Sequence, residues 1–530
     1  IERLLDGDKV VWVDECSNVA AVVSPVLDDI GSEPCSTPDS SFYTYEADGK
    51  ISTIFDAIAT NANDNFDDVN RFLRYKYDTL GRVISIEDPN YDGALSTKIT
   101  FDEIGNLHTT TNARGQTRTS EYDALGRLKS ISSDVAGEET FNVSYRNYDE
   151  SGVTELQAGR EWSDYYSRKY VYDDLGRLRR NELKVDVGGA WTTFLTDYEF
   201  DQAGRPLQIT YPDKSTQIAY EYDKGYLERV CDLGAASDCT EADGATNYVD
   251  GVVYDELGRR EEVSWTGGAR SFAYSGTTHR LSEDHFEGNG PSAYLFERNI
   301  AEYDAVGNIK VVTGLSSMPD VAVGESYDYD NRNRLIKWTK DEVSGATVQD
   351  YGYDDLGNLV DHAGDTQSFT QAEFPHAIAS RNAEATSYAY DPDGNVQSIL
   401  APGTNQYFDF NSANQLACIG SSESSPGVSS CDQNVFRYDI QGKRLIDHRP
   451  LGSLNYQVFV DDSYSYVRYP AVISATVEIF AFGERIANKE IPSASLRSAS
   501  LWPIGIGPGF LTGASAVLGF WLLSWAWDRG

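Results

Sequence analysis

Short stretches of alternating apolar and polar residues recur along most of the chain, separated by turns rich in Asp, Asn and Gly. In residues 71–77, large apolar side chains occupy every second position at Leu73, Tyr75 and Tyr77. Alternation with a period of two is typical of a β-strand that buries one face. A second apolar stretch, residues 83–86, follows after one turn. The pair predicts a β-hairpin with a three- to five-residue connection.

The turns repeat one phrase: an aromatic residue, an acid, two variable residues, Gly, Arg or Asn, and an aliphatic residue. The acid is expected to bond to backbone N–H groups two residues on, and the Gly to supply a positive φ. From Asp78 to Asp439 the mean interval between the acids is about 28 residues, which suits two strands and two turns. The phrase predicts structural turn residues at Asp78, Gly81, Asp102, Gly105, Asp123, Gly126, Asp173, Gly176, Asp201, Gly204, Asp255, Gly258, Asp304, Gly307, Asp354, Gly357, Asp391, Gly394, Asp439 and Gly442.

Several further copies are degenerate. Residues 45–50 are a candidate first copy, and a decayed copy is expected near residues 274–276. The phrase has lost part of its turn at residues 148–149, 222–223, 329–330 and 408–409. A repeat at this interval predicts a stacked or spiral architecture, because one hairpin alone is not stable in water.

The expected fold class is therefore all-β, with hairpins paired edge to edge into a spiral sheet, an open or partial hollow shell. Neighbouring hairpins would align their Tyr side chains as a ladder. We interpret this ladder as structural, with the rings packed between hairpins. The alternative is a surface on which sugars or bases stack.

The repeated phrase resembles the YD repeat of Rhs (rearrangement hotspot) proteins, a family related to toxin-complex cocoon components, wall-associated proteins and teneurins. The resemblance covers roughly residues 43–490. It implies repeats that spiral into a hollow β-shell, which in many members encloses a C-terminal toxin released by self-cleavage. Residues 479–487 look like the family segment before the cleavage core, but the Asp-Pro-x-Gly cleavage motif is not found near the C-terminus. Self-cleavage and an attached toxin are therefore not expected, and the length favours a partial shell or one completed by another chain.

The formal net charge of −39 argues against nucleic acids and anionic membrane surfaces as partners. HExxH and GxSxG motifs are not found in the sequence, and no catalytic residue, cofactor or metal site is assigned. Acid-bearing turns at residues 461–462 and 63–65 leave Ca²⁺ as an alternative, although neither has a full loop pattern.

Six cysteines fall into three pairs close in sequence, which predicts three small disulfide loops and an oxidising, extracellular or cell-envelope location. Proximity is the basis of this pairing, since six cysteines allow fifteen connectivities. The pairs are Cys16 with Cys35, Cys231 with Cys239, and Cys418 with Cys431.

Three segments follow from these patterns. Residues 1–42 are expected to form an N-terminal cap with a strand near residues 10–13, residues 43–492 the repeat region, and residues 493–530 a linker and an apolar segment. Residues 501–527 carry no charge and are long enough to span a bilayer. Three interpretations remain open for this apolar segment: a membrane anchor or sorting segment, a plug buried in the shell, or the start of a translocation or toxin region.

Three functions compete. The first is a non-catalytic, secreted or surface structural protein for adhesion or extracellular assembly, whose end strands could pair with other protein chains. The second is an Rhs-type shell component that encapsulates or delivers a toxin. The third is a carbohydrate-binding surface protein with glycan stacked on exposed aromatic residues such as Trp162, Trp191, Trp265 and Trp338.

Overall fold

Antiparallel β-hairpins form wherever the described sequence alternates apolar and polar residues. The computed structural model describes residues 2–6, 9–14, 40–46, 49–55, 72–88, 96–145, 159–187, 189–240, 244–288, 295–316, 324–341, 345–354, 356–369, 374–382, 386–425, 428–449, 455–468, 473–492 and 496. The chain divides into two units. Unit 1 comprises Ile1–Val143, Arg260–Glu262 and Gly267–Phe436, and unit 2 comprises Ser144–Arg259, Val263–Thr266 and Arg437–Gly530.

The strands follow one another with short connections. Up to residue 145 they are β1 (Glu2–Asp6), β2 (Lys9–Asp14), β3 (Ser40–Tyr45), β4 (Ile51–Phe55), β5 (Phe72–Tyr77), β6 (Val83–Glu87), β7 (Thr97–Phe101), β8 (Leu107–Thr111), β9 (Thr117–Tyr122), β10 (Leu128–Ser133) and β11 (Phe141–Ser144). From residue 159 to 266 they are β12 (Arg160–Trp162), β13 (Tyr166–Tyr172), β14 (Leu178–Val187), β15 (Ala190–Phe200), β16 (Pro206–Thr210), β17 (Gln217–Asp223), β18 (Tyr226–Asp232), β19 (Thr246–Val249), β20 (Gly251–Tyr254) and β21 (Arg260–Trp265).

The second half of the chain continues the same pattern. From residue 267 to 438 the strands are β22 (Gly268–Tyr274), β23 (Leu281–Gly288), β24 (Leu295–Tyr303), β25 (Ile309–Ser316), β26 (Glu325–Tyr329), β27 (Leu335–Lys340), β28 (Thr347–Tyr353), β29 (Leu359–His362), β30 (Asp365–Ser368), β31 (Ser380–Arg381), β32 (Ser387–Tyr390), β33 (Val396–Ala401), β34 (Thr404–Phe410), β35 (Leu416–Gly420), β36 (Glu423–Ser425), β37 (Val428–Ser429) and β38 (Asn434–Tyr438). The last strands are β39 (Arg444–Arg449), β40 (Asn455–Asp461), β41 (Tyr464–Arg468), β42 (Ile473–Ala481) and β43 (Glu484–Pro492).

Consecutive strands pair antiparallel within each unit, as the hairpin pattern predicts. In unit 1, β5 pairs with β6 and places Tyr75 opposite Ile86. In unit 2, β42 pairs with β43 along nearly the whole length of both strands. A departure occurs where β35 pairs directly with β38, while β36 and β37 form a small separate hairpin between them. The strand predicted near residues 10–13 is part of β2.

Unit 2 has a well-buried aromatic and aliphatic core. The strands β40 and β42 alternate buried and partly exposed residues, so their inner faces meet other strands of the same unit. The ring of Phe194 on β15 lies 5.3 Å from the ring of Tyr466, and Tyr211 stacks on Tyr464 at 6.0 Å. This core packs strands from residues 159–232 against strands from residues 455–492. The side chains that are at most 1% exposed include Tyr166, Leu183, Val185, Phe194, Tyr211, Ile218, Val230, Leu445, Val458, Val460, Tyr464, Ala475, Val477 and Ile479.

Most described strands of unit 1 are partly exposed, as expected for sheets that bury one face. The strand β7 alternates partly buried and exposed residues, and β6 is partly buried throughout. Val312, Phe374 and Ala113 are among the buried apolar residues of this unit. Among the residues that the structure describes, no helix has the length and apolar character needed to cross a membrane. The apolar segment 501–527 lies outside the described residues.

Candidate functional site: linked repeat turns and two buried clasps

Each of the ten complete copies of the repeated phrase forms the same five-residue turn. At Asp78, the backbone C=O accepts from the Gly81 N–H at 2.9 Å, and the Asp78 N–H donates to the Arg82 C=O at 2.9 Å. The Asp78 carboxylate accepts from the backbone N–H groups of Leu80 and Arg82 and from the Arg82 guanidinium at 2.7 Å. A type I turn followed by a left-handed residue requires φ > 0 there, which Gly adopts without strain. One acid and one Gly therefore specify the turn locally.

All ten predicted Asp–Gly pairs adopt this pair of backbone hydrogen bonds, with the glycine φ angles between 74° and 107°. Where Asn replaces Arg after the glycine, its side-chain amide donates to the aspartate, as Asn106 does to Asp102 at 2.9 Å. The turn at Asp439 differs, because Lys443 reaches instead to Asp462 at 2.7 Å.

The structure adds turns that the sequence analysis missed or misplaced. The turn expected to be degenerate at residues 329–330 is complete, because Asn333 takes the glycine's place at φ 61°. The prediction of a turn at residues 408–409 is wrong in register, because Asp409 lies within β34 and the turn begins at Asn411. Asn112 starts another turn of this kind that has no acid at all. Ser275 takes the acid's place in the decayed copy expected near residues 274–276.

Several turn aspartates have a lowered pKa. The backbone N–H of Arg82, with the Arg82 guanidinium and the Leu80 N–H, lowers the pKa of Asp78 in spite of some desolvation. At Asp123, the Arg127 side chain is the leading cause of the lowered pKa. These carboxylates are therefore stabilised as anions and favour the turn at neutral pH.

In six of the described phrases the tyrosine hydroxyl bonds to the preceding repeat. The hydroxyl of Tyr353 donates to the C=O of Leu335 at 3.0 Å, and Leu335 directly follows the preceding turn. Tyr329 bonds in the same way to Ile309 at 2.9 Å. The rule extends along both units, since the hydroxyls of Tyr77, Tyr254, Tyr303 and Tyr390 donate to the C=O of Ile51, Leu227, Leu281 and Ile378.

In several phrases the arginine that follows the turn reaches forward to the next repeat. The guanidinium carbon of Arg334 lies 4.3 Å from the centre of the Tyr353 ring, and that of Arg82 lies 4.1 Å from the Phe101 ring. Such contacts add a favourable cation–π interaction. Neighbouring hairpins are thus linked in two ways, by a tyrosine hydroxyl that bonds backward and by an arginine that packs forward on the next aromatic ring. The repeated phrase supplies both side chains. The same contact occurs at Arg177 with Phe200, Arg205 with Tyr222 and Arg280 with Tyr303.

The aliphatic residue before most of the repeat glycines faces solvent. Leu80 is 76% exposed and Leu175 is 72% exposed, and nothing in the described structure explains why this position is so often aliphatic. The others are Ile104, Leu125, Leu257 and Val306.

A buried ion-pair cluster, here the Arg114 clasp, joins distant repeats of unit 1. Arg114 follows Asn112 in a repeat turn, and its Nε donates to the Asp393 carboxylate at 2.6 Å. Its other nitrogens donate to the C=O groups of Phe410 and Asn411, both at 2.7 Å. The Asp393 side chain has no exposed area and that of Arg114 is 14% exposed. Repeat turns nearly 300 residues apart in sequence are thus held together.

Unit 2 contains a second long-range connection. On β43, Lys489 pairs with Asp232 and donates to the Thr216 hydroxyl at 3.0 Å. In the same unit, Arg168 on β13 lies between the carboxylates of Glu161 and Asp439, each 3.5 Å away. These contacts join the first strands of unit 2 to its last ones.

Two of the three predicted disulfides lie in the described residues. Cys231 is bonded to Cys239 and Cys418 to Cys431, while Cys16 and Cys35 lie outside the described residues. The carboxylate of Asp409 lies 3.5 Å from the Cys418 sulfur. The disulfide uses both sulfurs, so this group is not available as a set of metal ligands.

The other candidate positions have structural partners or lie outside the described residues. The Asp461 carboxylate accepts from the Ser463 N–H at 2.8 Å, and Asp462 pairs with Lys443, while residues 63–65 are outside the described residues. Of the four candidate tryptophans, Trp191 is exposed at 49%, and Trp162 lies under the Arg160 guanidinium.

Comparison with known proteins supports the repeat assignment. Residues 292–476 match the family profile described as Teneurin YD-shell, and residues 101–139 match the RHS Repeat profile. A search of curated proteins gave no match.

Solved structures of toxin proteins have a similar fold. The crystal structure of TcdB2-TccC3-Cdc42 aligns with a TM-score of 0.66 and 16% identity, over 84% of this chain and 24% of that chain. A Tc holotoxin pore from Photorhabdus luminescens aligns with a TM-score of 0.64 and 16% identity, over 86% of this chain and 24% of that chain. The chain therefore spans about a quarter of the length of these solved chains. The predicted all-β fold class and the resemblance to YD-repeat and Rhs proteins are both confirmed: residues of the chain match the YD-shell and RHS-repeat profiles, and its fold is similar to the part of the Tc toxin chains with which it aligns.

Proposed function

We propose that the chain is a non-catalytic shell component, which forms part of a β-layer around an enclosed polypeptide. The observation that carries the proposal is the fold likeness to TcdB2-TccC3 over 84% of the chain. The links between hairpins support it, because they join neighbouring repeats in both units and suit a continuous wall. The Arg114 clasp suits a wall that must stay closed, since it ties early repeats of unit 1 to late ones.

Protein partners belong to the same proposal. The chain covers only 24% of the similar toxin chain, so a complete shell requires further shell segments from the same or another polypeptide. Unpaired strands at the ends of a sheet are suited to such pairing. An oxidising, extracellular site of action is proposed from the disulfides Cys231–Cys239 and Cys418–Cys431.

The shell proposal and a membrane-anchored alternative differ in what happens to residues 493–530. If the shell proposal is right, the full chain stays in the aqueous phase after carbonate and detergent partitioning. Residues 501–527 also resist chymotrypsin until urea unfolds the strands. A chain that needs detergent, and becomes soluble and folded when residues 493–530 are deleted, would instead be an anchored surface protein.

Adhesion, glycan binding and Ca²⁺ binding stay predictions. Binding of the purified chain to intact cells, and to a glycan array, tests the first two. Isothermal titration calorimetry with Ca²⁺ tests the third.

A further inference from the structure

One buried cluster in unit 2 has more acid than base. Glu161 on β12 and Arg168 on β13 are cross-strand neighbours, with the Arg168 Nε 3.5 Å from the Glu161 Oε1. On its other side, Arg168 lies 3.5 Å from the Asp439 carboxylate. The side chain of Glu161 is 3% exposed, that of Asp439 is 1% exposed and that of Arg168 is 10% exposed. Two carboxyl groups thus face one guanidinium away from water.

In the part of the chain that the structure describes, the remaining titratable neighbours of Glu161 are phenols and supply no second cation. Tyr170 and Tyr166 lie on β13 beside the pair, and burial raises the pKa of both phenols, so they stay neutral in the physiological range. Tyr172 faces Glu161 from the same strand, and burial raises its pKa as well. The cluster therefore carries an excess of one negative charge whenever both carboxyl groups are ionised.

Hydrogen bonding compensates this excess only in part, because the Tyr170 side chain bonds to Glu161 but one carboxylate oxygen stays unpaired. The Oε1 of Glu161 and the Nε of Arg168 are buried and have no hydrogen-bond partner, because 3.5 Å is long for such a bond. By contrast, Asp439 accepts from the N–H groups of Gln441 and Lys443 at 3.0 and 2.9 Å. A buried carboxylate with an unpaired oxygen, as at Glu161, is costly. Desolvation raises the pKa of Glu161 to about 7, against the attraction of Arg168.

We propose that protonation of Glu161 stabilises the packing of β12 and β13 against the turn that begins at Asp439. This pH-sensitive contact is called the Glu161 clasp, and it is closed when the turn is packed on β13. Two contacts join β13 to this turn: the hydrogen bond from the Ile440 N–H to the Tyr166 hydroxyl at 2.9 Å, and the ion pair of Arg168 with Asp439. Protonation leaves Arg168 paired with Asp439 alone and removes the excess charge. Loss of the proton leaves two anions on one cation, and the turn separates from β13. The inference concerns unit 2 alone and does not depend on the shell proposal.

The direction of the pH dependence follows from proton linkage. A carboxyl with a raised pKa in the closed state binds more protons there than in the open state. Closure is therefore favoured fully below the usual value of 4.5, and this advantage is lost as the pH rises through about 7. The turn aspartates, such as Asp78, respond in the opposite direction, but at pH values below their ordinary 3.8.

Hydrogen exchange at the Ile440 amide, corrected for the intrinsic rate, tests the clasp in the full chain. Between about pH 5.5 and about pH 8, linkage predicts a loss of protection of roughly thirty-fold. Glu161→Gln, which cannot ionise, should keep protection nearly equal at both pH values. Glu199→Gln on β15, whose side chain is exposed, is the matched control and should behave as the unmodified chain does.

A second variant keeps the test decisive if Glu161→Gln does not fold. The hydrogen bond from Tyr170 lowers the pKa of Glu161, so Tyr170→Phe should move the midpoint of the transition to a higher pH. The proposal is overturned if the unmodified chain shows equal protection at the two pH values. It is also overturned if Glu161→Gln retains the full pH dependence, or if Tyr170→Phe leaves the midpoint unchanged.

Discussion

Replacing Arg114 by Ala should open unit 1 between its early and late repeats. The guanidinium donates to Asp393 and to the C=O groups of Phe410 and Asn411, and its loss leaves the fully buried Asp393 carboxylate without its cation. Breaking a buried pair by removal of one partner costs about 3–5 kcal/mol. Arg114→Lys should recover only part of this, because an ammonium cannot make several hydrogen bonds in one plane.

Hydrogen exchange at the Ser412 amide reports this opening, because that N–H donates to Glu138 at 2.8 Å within the same contact. A loss of about 3–5 kcal/mol corresponds to exchange faster by roughly 10²- to 4 × 10³-fold. The matched control is Arg270→Ala, which removes an arginine bonded at two points to Asp284 but 43% exposed. An exposed pair contributes about 1 kcal/mol or less. Equal effects of the two substitutions at Ser412 would refute the assignment of Arg114 as a clasp.

Three further predictions concern single links. Lys489→Met should cost about 2–4 kcal/mol by leaving the buried Asp232 unpaired, with faster amide exchange across β43 that Lys489→Arg partly prevents. Tyr353→Phe should cost about 1 kcal/mol by removing the bond to Leu335, measured as local exchange in β27 and β28. Loss of the Cys231–Cys239 disulfide by double Ser substitution should cost about 2.5 kcal/mol in urea unfolding of unit 2.

The hairpins could be predicted because their determinants are local. An acid and a glycine three residues apart specify the turn, and the alternation on either side specifies the strands, as at Asp78 and Gly81. The same locality explains the errors. Asn333 was not recognised as a glycine substitute, although Asn also adopts positive φ, and Asn411 was overlooked because Asp409 fits the phrase two residues earlier.

The clasps could not be predicted, because their partners are far apart in sequence. Arg114 stands at a position that the phrase gives to an exposed aliphatic residue, and its partner Asp393 is 279 residues away. The buried cluster with Glu161 could not be predicted either, because acids are common throughout a chain with net charge −39 and none of them stands out in the sequence. The forward contact of the motif arginine with the next aromatic ring was also missed. The sequence did contain a signal for this contact: an Arg that follows the glycine of one phrase recurs with an aromatic residue that precedes the acid of the next phrase.

A density map of the purified chain by single-particle electron cryomicroscopy tests the central claim most directly. If the chain is a shell component, the linked hairpins form a curved layer with one face toward a lumen, either in the chain alone or in its oligomer. Flat sheets with solvent on both faces, or hairpins without the predicted links between neighbours, would contradict the account.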